Sequence, residues 1–137
     1  MAAMISSRGR YALRVLADLA QQAPEVYVPL KDIAARQELS QKYSEAIMTT
    51  LSKGGLVEGI HGKGGGYRLS RKPEEYSLAE ILTLTEGSLA PVSCLFDGAS
   101  PCDRATPCPT LPVWEELERI ITDYLSSVTL ADVLPKE

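Results

Sequence analysis

The stretch "LSQKYSEAIMTTLSKGGLVEGIHGKGGGYRLS", residues 39–70, decides how this chain folds. Ser40 is a hydroxyl residue of the kind that accepts from the first free amides of a helix, so a helix is expected over 40–53. Ala46, Ile47, Thr50 and Leu51 stand at helical spacing and are expected to supply its buried face. Gly54 and Gly55 end it, as glycine does at a helix C-terminus. "LVEGI" and "YRLS" then read as two strands around the tip "HGKGGG" (61–66). The tip is basic through Lys63, carries the polar His61, and is followed by Arg68 and Arg71. A glycine-rich tip lets backbone lie close to a sugar–phosphate chain where a Cβ would collide.

Upstream, residues 30–38 form a shorter helix with Ile33, Ala34 and Ala35 apolar, and "ELS" makes the turn into 40–53. Two helices joined by a tight turn are a helix-turn-helix, and a hairpin directly after one is a wing. Residues 8–22 supply a helix in front of it, with Tyr11, Val15 and Leu19 in one stripe; the prolines of "APEVYVP" break it. Downstream, Ser77 and Glu80 form a capping-box pattern ahead of a helix over 77–86. A longer helix over 112–128 carries Trp114, Leu117, Ile121, Tyr124 and Val128 in a narrow seam. Such a seam fits a helix–helix interface. It is either intrachain core or a dimer face, and a chain this short has little other surface to cover it. The expected fold is mainly α with a small β-wing: a winged helix-turn-helix domain over 4–75, then a cysteine loop and dimerisation helix over 76–137. Met1 to Ala3 read as an extension ahead of a start at Met4.

The net charge of −4 hides an asymmetry. Residues 1–72 hold 11 Lys and Arg against 6 Asp and Glu, a balance of +5; residues 73–137 hold 3 against 12, a balance of −9. The basic half suits a phosphate backbone, with the acidic half facing away. No apolar run approaches the ~18 residues of a membrane span, and the charged N-terminus is unlike a signal peptide. A cytoplasmic protein with no membrane partner is expected. No Ser/His/Asp set, no paired acids in a recognisable motif and no cofactor fingerprint are present, so no enzyme is expected. "GKGGG" matches neither phosphate-binding glycine motif.

All three cysteines, Cys94, Cys102 and Cys108, fall in the loop "SCLFDGASPCDRATPC", residues 93–108. In a reducing compartment such a cluster serves metal or redox chemistry more readily than a disulfide scaffold. Thiolates suit iron–sulfur clusters and zinc, and a closed zinc site would want a fourth ligand. A thiol switch without metal remains the alternative, as does, from another class, a small iron–sulfur carrier or protein-interaction module.

"SRGRYAL" (7–13), the helix-turn-helix ending in "GLV", "GKGGGY" (62–67), the three-cysteine loop and "VWEELERI" with its "TLADVL" tail follow one another in order. Together they resemble the IscR/NsrR-type (Rrf) family of bacterial winged-helix transcription regulators over essentially the whole chain. The resemblance implies a homodimer binding double-stranded DNA at a pseudo-palindromic operator. It implies DNA contacts from Arg8, from Ser40, Gln41, Lys42, Tyr43 and Glu45 at the front of the recognition helix, and from His61, Gly62, Lys63, Gly64 and Gly65 at the wing tip. Glu45 matches a position used for base discrimination; on residue chemistry alone it is equally a solvated acid on a helix face. Cys94, Cys102 and Cys108 match the ligands of an iron–sulfur cluster, 2Fe–2S or 4Fe–4S. The first cysteine gap is longer than in IscR. Leu111 stands where IscR has a histidine ligand, and Arg10 where the nitric-oxide-sensing branch has an aspartate. The fourth ligand is therefore expected to be an oxygen donor (Asp97, Asp103, Ser93 or Thr110), a partner group or water.

Overall fold

The computed structural model describes residues 5–92, 95 and 109–135. Cys94, Cys102 and Cys108 lie outside the described residues. The order of elements is α1 (Ser7–Ala20), α2 (Leu30–Arg36), α3 (Gln41–Lys53), β1 (Val57–Ile60), β2 (Gly66–Leu69), α4 (Leu78–Glu86) and α5 (Leu111–Ser127). One 3-10 turn, Pro73–Glu75, precedes α4, and another, Leu130–Val133, follows α5.

Local chemistry accounts for the helix starts. The Ser40 hydroxyl accepts from the Tyr43 amide at 3.1 Å, and the Ser77 hydroxyl accepts from the Glu80 amide at 3.1 Å. Only half of the expected capping box forms at α4. Glu80 turns outward to the Arg71 guanidinium, which donates two hydrogen bonds of 2.7 and 2.8 Å to it. A bidentate charge-assisted pair outcompetes a single bond to the cap amide. The α2–α3 turn passes through Glu38 at φ 55°, a left-handed conformation at a non-glycine residue.

The core is built from one face of each helix. Val15, Leu16, Ile33, Ile47, Met48, Leu51, Leu56, Tyr76, Ile81 and Leu130 are essentially inaccessible. On α3 the buried face differs from the expected one: Ser44, Ile47, Met48 and Leu51 point inward, while Ala46 is exposed and Thr50 half-buried. Ser44 is accommodated inside because its hydroxyl donates to the Ser40 carbonyl at 2.9 Å. A polar side chain with a satisfied hydroxyl costs little to bury.

The seam expected on α5 is divided. Ile121 and Leu125 pack against Ala79, Leu82 and Leu89, and Leu125 and Val128 also reach the main core. Val113, Ile120 and Tyr124 remain 57, 50 and 65% exposed. Intrachain packing thus takes one stripe of α5 and leaves a second apolar stripe on the outside.

β1 and β2 pair antiparallel, from Val57 opposite Leu69 to Ile60 opposite Gly66. A third strand-like bond pair, Val28 with Tyr67, ties β2 to the loop after α1. Gly66 is needed at this crossing: a Cβ there would lie 2.3 Å from the Val28 carbonyl oxygen. The last glycine of the tip motif therefore serves packing within the chain rather than approach to a ligand.

Candidate nucleic-acid interface

The exposed side of α3 is polar along its length. Gln41, Lys42, Glu45, Thr49, Ser52 and Lys53 are all exposed, opposite the face that enters the core. Ser40 caps the helix and its side chain is exposed as well, so the expected front of the helix, residues 40–45, lies at the surface except for Ser44 and Tyr43. Tyr43 is half-buried, with its ring edge-on to Tyr11 at 6.0 Å between centroids and 89° between planes. Such edge-to-face pairs stabilise by about 0.5–1.5 kcal/mol beyond burial.

Beside this pair a polar network ties α1 to the end of α2. Arg14 stacks over the Tyr11 ring at 5.2 Å and donates to the Gln37 side-chain oxygen at 3.1 Å. Gln37 donates in turn to Asp18 at 3.0 Å, and Arg36 donates two bonds of 2.9 and 2.7 Å to the same carboxylate. The Asp18 side chain is only 4% exposed, that of Arg36 42%. A buried carboxylate with three donors is fully satisfied, and removing one partner would leave a charge without solvation. The hydrogen bonding to the Asp18 carboxylate raises the Arg36 pKa against a smaller desolvation, which keeps the guanidinium charged. None of Arg14, Asp18, Arg36 and Gln37 stood out in the sequence. Their only sequence signal is an acid on the otherwise apolar stripe of α1.

The wing tip turns through Gly62 and Gly64, at φ 93° and 82°, closed by a bond from the Gly65 amide to the Gly62 carbonyl at 2.9 Å. His61, Gly62, Lys63 and Gly64 are exposed and Gly65 is half-buried. Lys42, Lys53 and Lys63 have no acidic partner among the described residues, whereas Arg68 and Arg71 are paired with Glu58 and Glu80. On α3 and the wing, the cations available to an external phosphate are thus these three lysines rather than the arginines that follow the tip. A cavity of about 320 Å³ between the end of α1 and residues 68–75 contains those two paired arginines.

The base of the wing is held by Tyr76, another residue that the sequence did not single out. Its hydroxyl donates to the Leu56 carbonyl at 2.6 Å and accepts from the Ser70 and Arg71 amides at 3.0 and 3.1 Å. Leu56 precedes β1 and Ser70 follows β2, so one buried oxygen clamps both ends of the hairpin.

Arg8 is exposed on the first turn of α1. That turn is held by α4: the Ser6 hydroxyl donates to Glu86 at 2.6 Å and accepts from the Gly9 amide at 3.3 Å, and the Ser6 amide donates to Glu86 at 3.2 Å. Among the described residues no group of three His, Cys, Asp or Glu could hold a metal ion. No described helix is long and apolar enough to cross a membrane.

A two-helix motif with an exposed polar recognition face, followed by a glycine-tipped hairpin whose Lys63 is unpaired among the described residues, defines a winged-helix protein of the DNA-binding type. The Rrf2 family profile, described as an iron-dependent transcriptional regulator, matches residues 5–136, and the chain belongs to this family of transcription regulators. It is 35% identical over 130 residues, 95% of its length, to the HTH-type transcriptional regulator IscR of Aliivibrio salmonicida, of which the match covers 76%. CymR, the global cysteine regulator of B. subtilis, superposes with a TM-score of 0.77 at 31% identity over 94% of each chain. IscR of T. potens superposes with a TM-score of 0.72 at 36% identity, over 93% of this chain and 83% of that one. These relatives are regulators and not enzymes.

Proposed function

We propose that the protein is a homodimeric regulator that binds a pseudo-palindromic operator and responds to iron–sulfur, iron or redox status through Cys94, Cys102 and Cys108. In this reading residues 4–75 contact DNA and residues 76–137 carry the sensing loop and the dimer helix. The observation that carries the DNA-binding part is the continuous polar face of α3 beside a wing whose Lys63 is unpaired among the described residues. Gln41, Lys42 and Glu45 read base edges, Ser40 and Tyr43 fix the helix front, and Arg8, His61, Lys63 and the tip glycines meet the backbone. The apolar stripe of Val113, Ile120 and Tyr124 supports a two-fold dimer through α5.

The donor set fits an iron–sulfur cluster: three thiolates within 15 residues match soft iron, and the fourth position falls to an oxygen donor, a partner group or water. Bound there, the cluster would supply oxidation- and iron-sensitive ligation. The chain's own part is to hold it by thiolate and to pass loop ordering on to the flanking elements. A second reading, a metal-free thiol switch, is supported by the likeness to CymR, one structure of which, from Staphylococcus aureus, is described as an oxidized form. Iron and sulfide analysis of anaerobically purified protein separates the two. Brown protein that bleaches in air, loses colour when Cys94, Cys102 or Cys108 is replaced by Ala, and changes operator affinity on bleaching supports the cluster. Metal-free protein after reconstitution leaves the thiol switch. Salt-independent DNA binding, or none in any state, refutes the regulator reading.

A further inference from the structure

Between the last two turns of α3 and the tip of the wing lies a hollow of about 210 Å³, bordered by Thr49, Ser52, Lys53 and His61, with Gly59, Tyr67 and the apolar Ile60 completing its lining. We propose that this hollow seats one phosphate of the DNA sugar–phosphate backbone, so that recognition helix and wing grip the same phosphate from two sides. The proposal rests on the DNA-binding reading and adds Lys53 and Ser52 to it as contact residues.

The shape of the hollow has a cause in the sequence. Gly59 faces Tyr67 across the hairpin. A Cβ at residue 59 would lie 2.8 Å from a carbon of the Tyr67 ring, so glycine here lets the ring pack against the opposite strand where a side chain would force it to shift. A larger residue would push the ring outward into the space. The volume is several times that of one water, roughly 30 Å³, and leaves room for a tetrahedral anion.

The chemistry of the rim is that of an anion site. Lys53 offers three ammonium donors, Ser52 a hydroxyl donor, and His61 a ring N–H. All three side chains are exposed, and none has a hydrogen-bond partner among the described residues. Thr49 contributes less, because its hydroxyl already donates to the Glu45 carbonyl at 2.9 Å. No carboxylate borders the hollow. A helix C-terminus ordinarily repels anions through its free carbonyls. Here those of Thr50, Leu51 and Ser52 already accept from the amides of Gly54, Leu56 and Gly55. The hollow also continues the exposed α3 face that begins with Gln41 and Glu45, so a duplex read by the front of the helix would pass its backbone over the rear.

The test uses an operator selected from random-sequence duplexes, with a single neutral methylphosphonate placed at each backbone position in turn. Affinities are measured for the wild type and for Lys53→Gln, an exposed change that removes no hydrogen bond or ion pair among the described residues. The expected result is one position per half-site where neutralisation weakens the wild type about fivefold or more but the variant less than about twofold, the signature of direct coupling. Lys53→Gln should also flatten the salt dependence by about one unit. Tight binding of the unmodified operator with equal penalties in both proteins at every phosphate overturns this proposal and leaves the regulator reading intact. Failure of the wild type to select any operator overturns both.

Discussion

Replacing Tyr76 with Phe should destabilise the protein by about 2–3 kcal/mol and loosen the wing while keeping the core packed. The ring itself is fully buried and Phe preserves its shape. What is lost is one oxygen that makes three bonds of 2.6, 3.0 and 3.1 Å to backbone groups at both ends of the hairpin. Two of those groups have a fallback, since the Ser70 amide also points at the Leu56 carbonyl at 3.4 Å. The Arg71 amide has no other partner among the described residues. Each lost bond is worth about 1 kcal/mol net, and an amide left without a partner costs at the upper end of the range. For a chain of this size the midpoint of thermal unfolding should fall on the order of 10 °C. Urea denaturation at fixed protein concentration measures the first quantity, and hydrogen exchange at the Ser70 and Arg71 amides the second. A change below about 0.5 kcal/mol, with exchange at Arg71 unaltered, would refute the clamp.

Glu45→Ala should relax base choice more than it lowers overall affinity, because an acid in a phosphate-lined groove acts by exclusion; equal discrimination across a randomised operator library would return Glu45 to a solvated surface. The Glu80 carboxyl is held below its usual range, first by hydrogen bonds from Arg71 and against partial desolvation. Its stabilising contribution is therefore complete above the unfolded value of about 4.5 and is lost as pH falls through the lower folded value. With 43 and 32% of the two side chains exposed, that contribution is below about 1 kcal/mol. Glu80→Gln should remove this part of the acid limb of the stability curve, and an unchanged limb would refute the pairing. Ile120→Glu together with Tyr124→Glu should convert a dimer to a monomer in light scattering without unfolding it, since neither side chain is buried in the chain's own core. A dimer that survives both changes would move the interface away from α5.

Much of the fold was legible in residues 39–70, and the reason is local. A serine one residue before a helix, glycines just past its end and glycines in a hairpin tip act through backbone amides and dihedral angles within a few residues. Those rules placed α3, the wing and the start of α4 before any tertiary contact was known. The same rules misjudged the faces of helices. Ala46 was expected inside and is exposed, while Met48 and Ser44 are buried, because the rotation of α3 is set by what α1 and α4 present to it.

The candidate interface divides in the same way. The sequence pointed to Glu45, His61 and Lys63 because exposed polar residues on a recognition helix or a hairpin tip are visible from position alone. It did not reveal Asp18, Gln37 or Tyr76, whose partners Arg36, Asp18 and Leu56 lie 18, 19 and 20 residues away on other elements. It could not say that Arg68 and Arg71 are occupied by Glu58 and Glu80 while the three lysines are not. Nor could one apolar seam on α5 announce that Ile121 and Leu125 would close the chain's own core and Ile120 and Tyr124 would be left outside. Backbone capping and turn formation are decided within a few residues and are therefore written in the sequence; which side chain meets which, and so which charges and apolar stripes remain for a partner, is decided only when distant elements pack against each other.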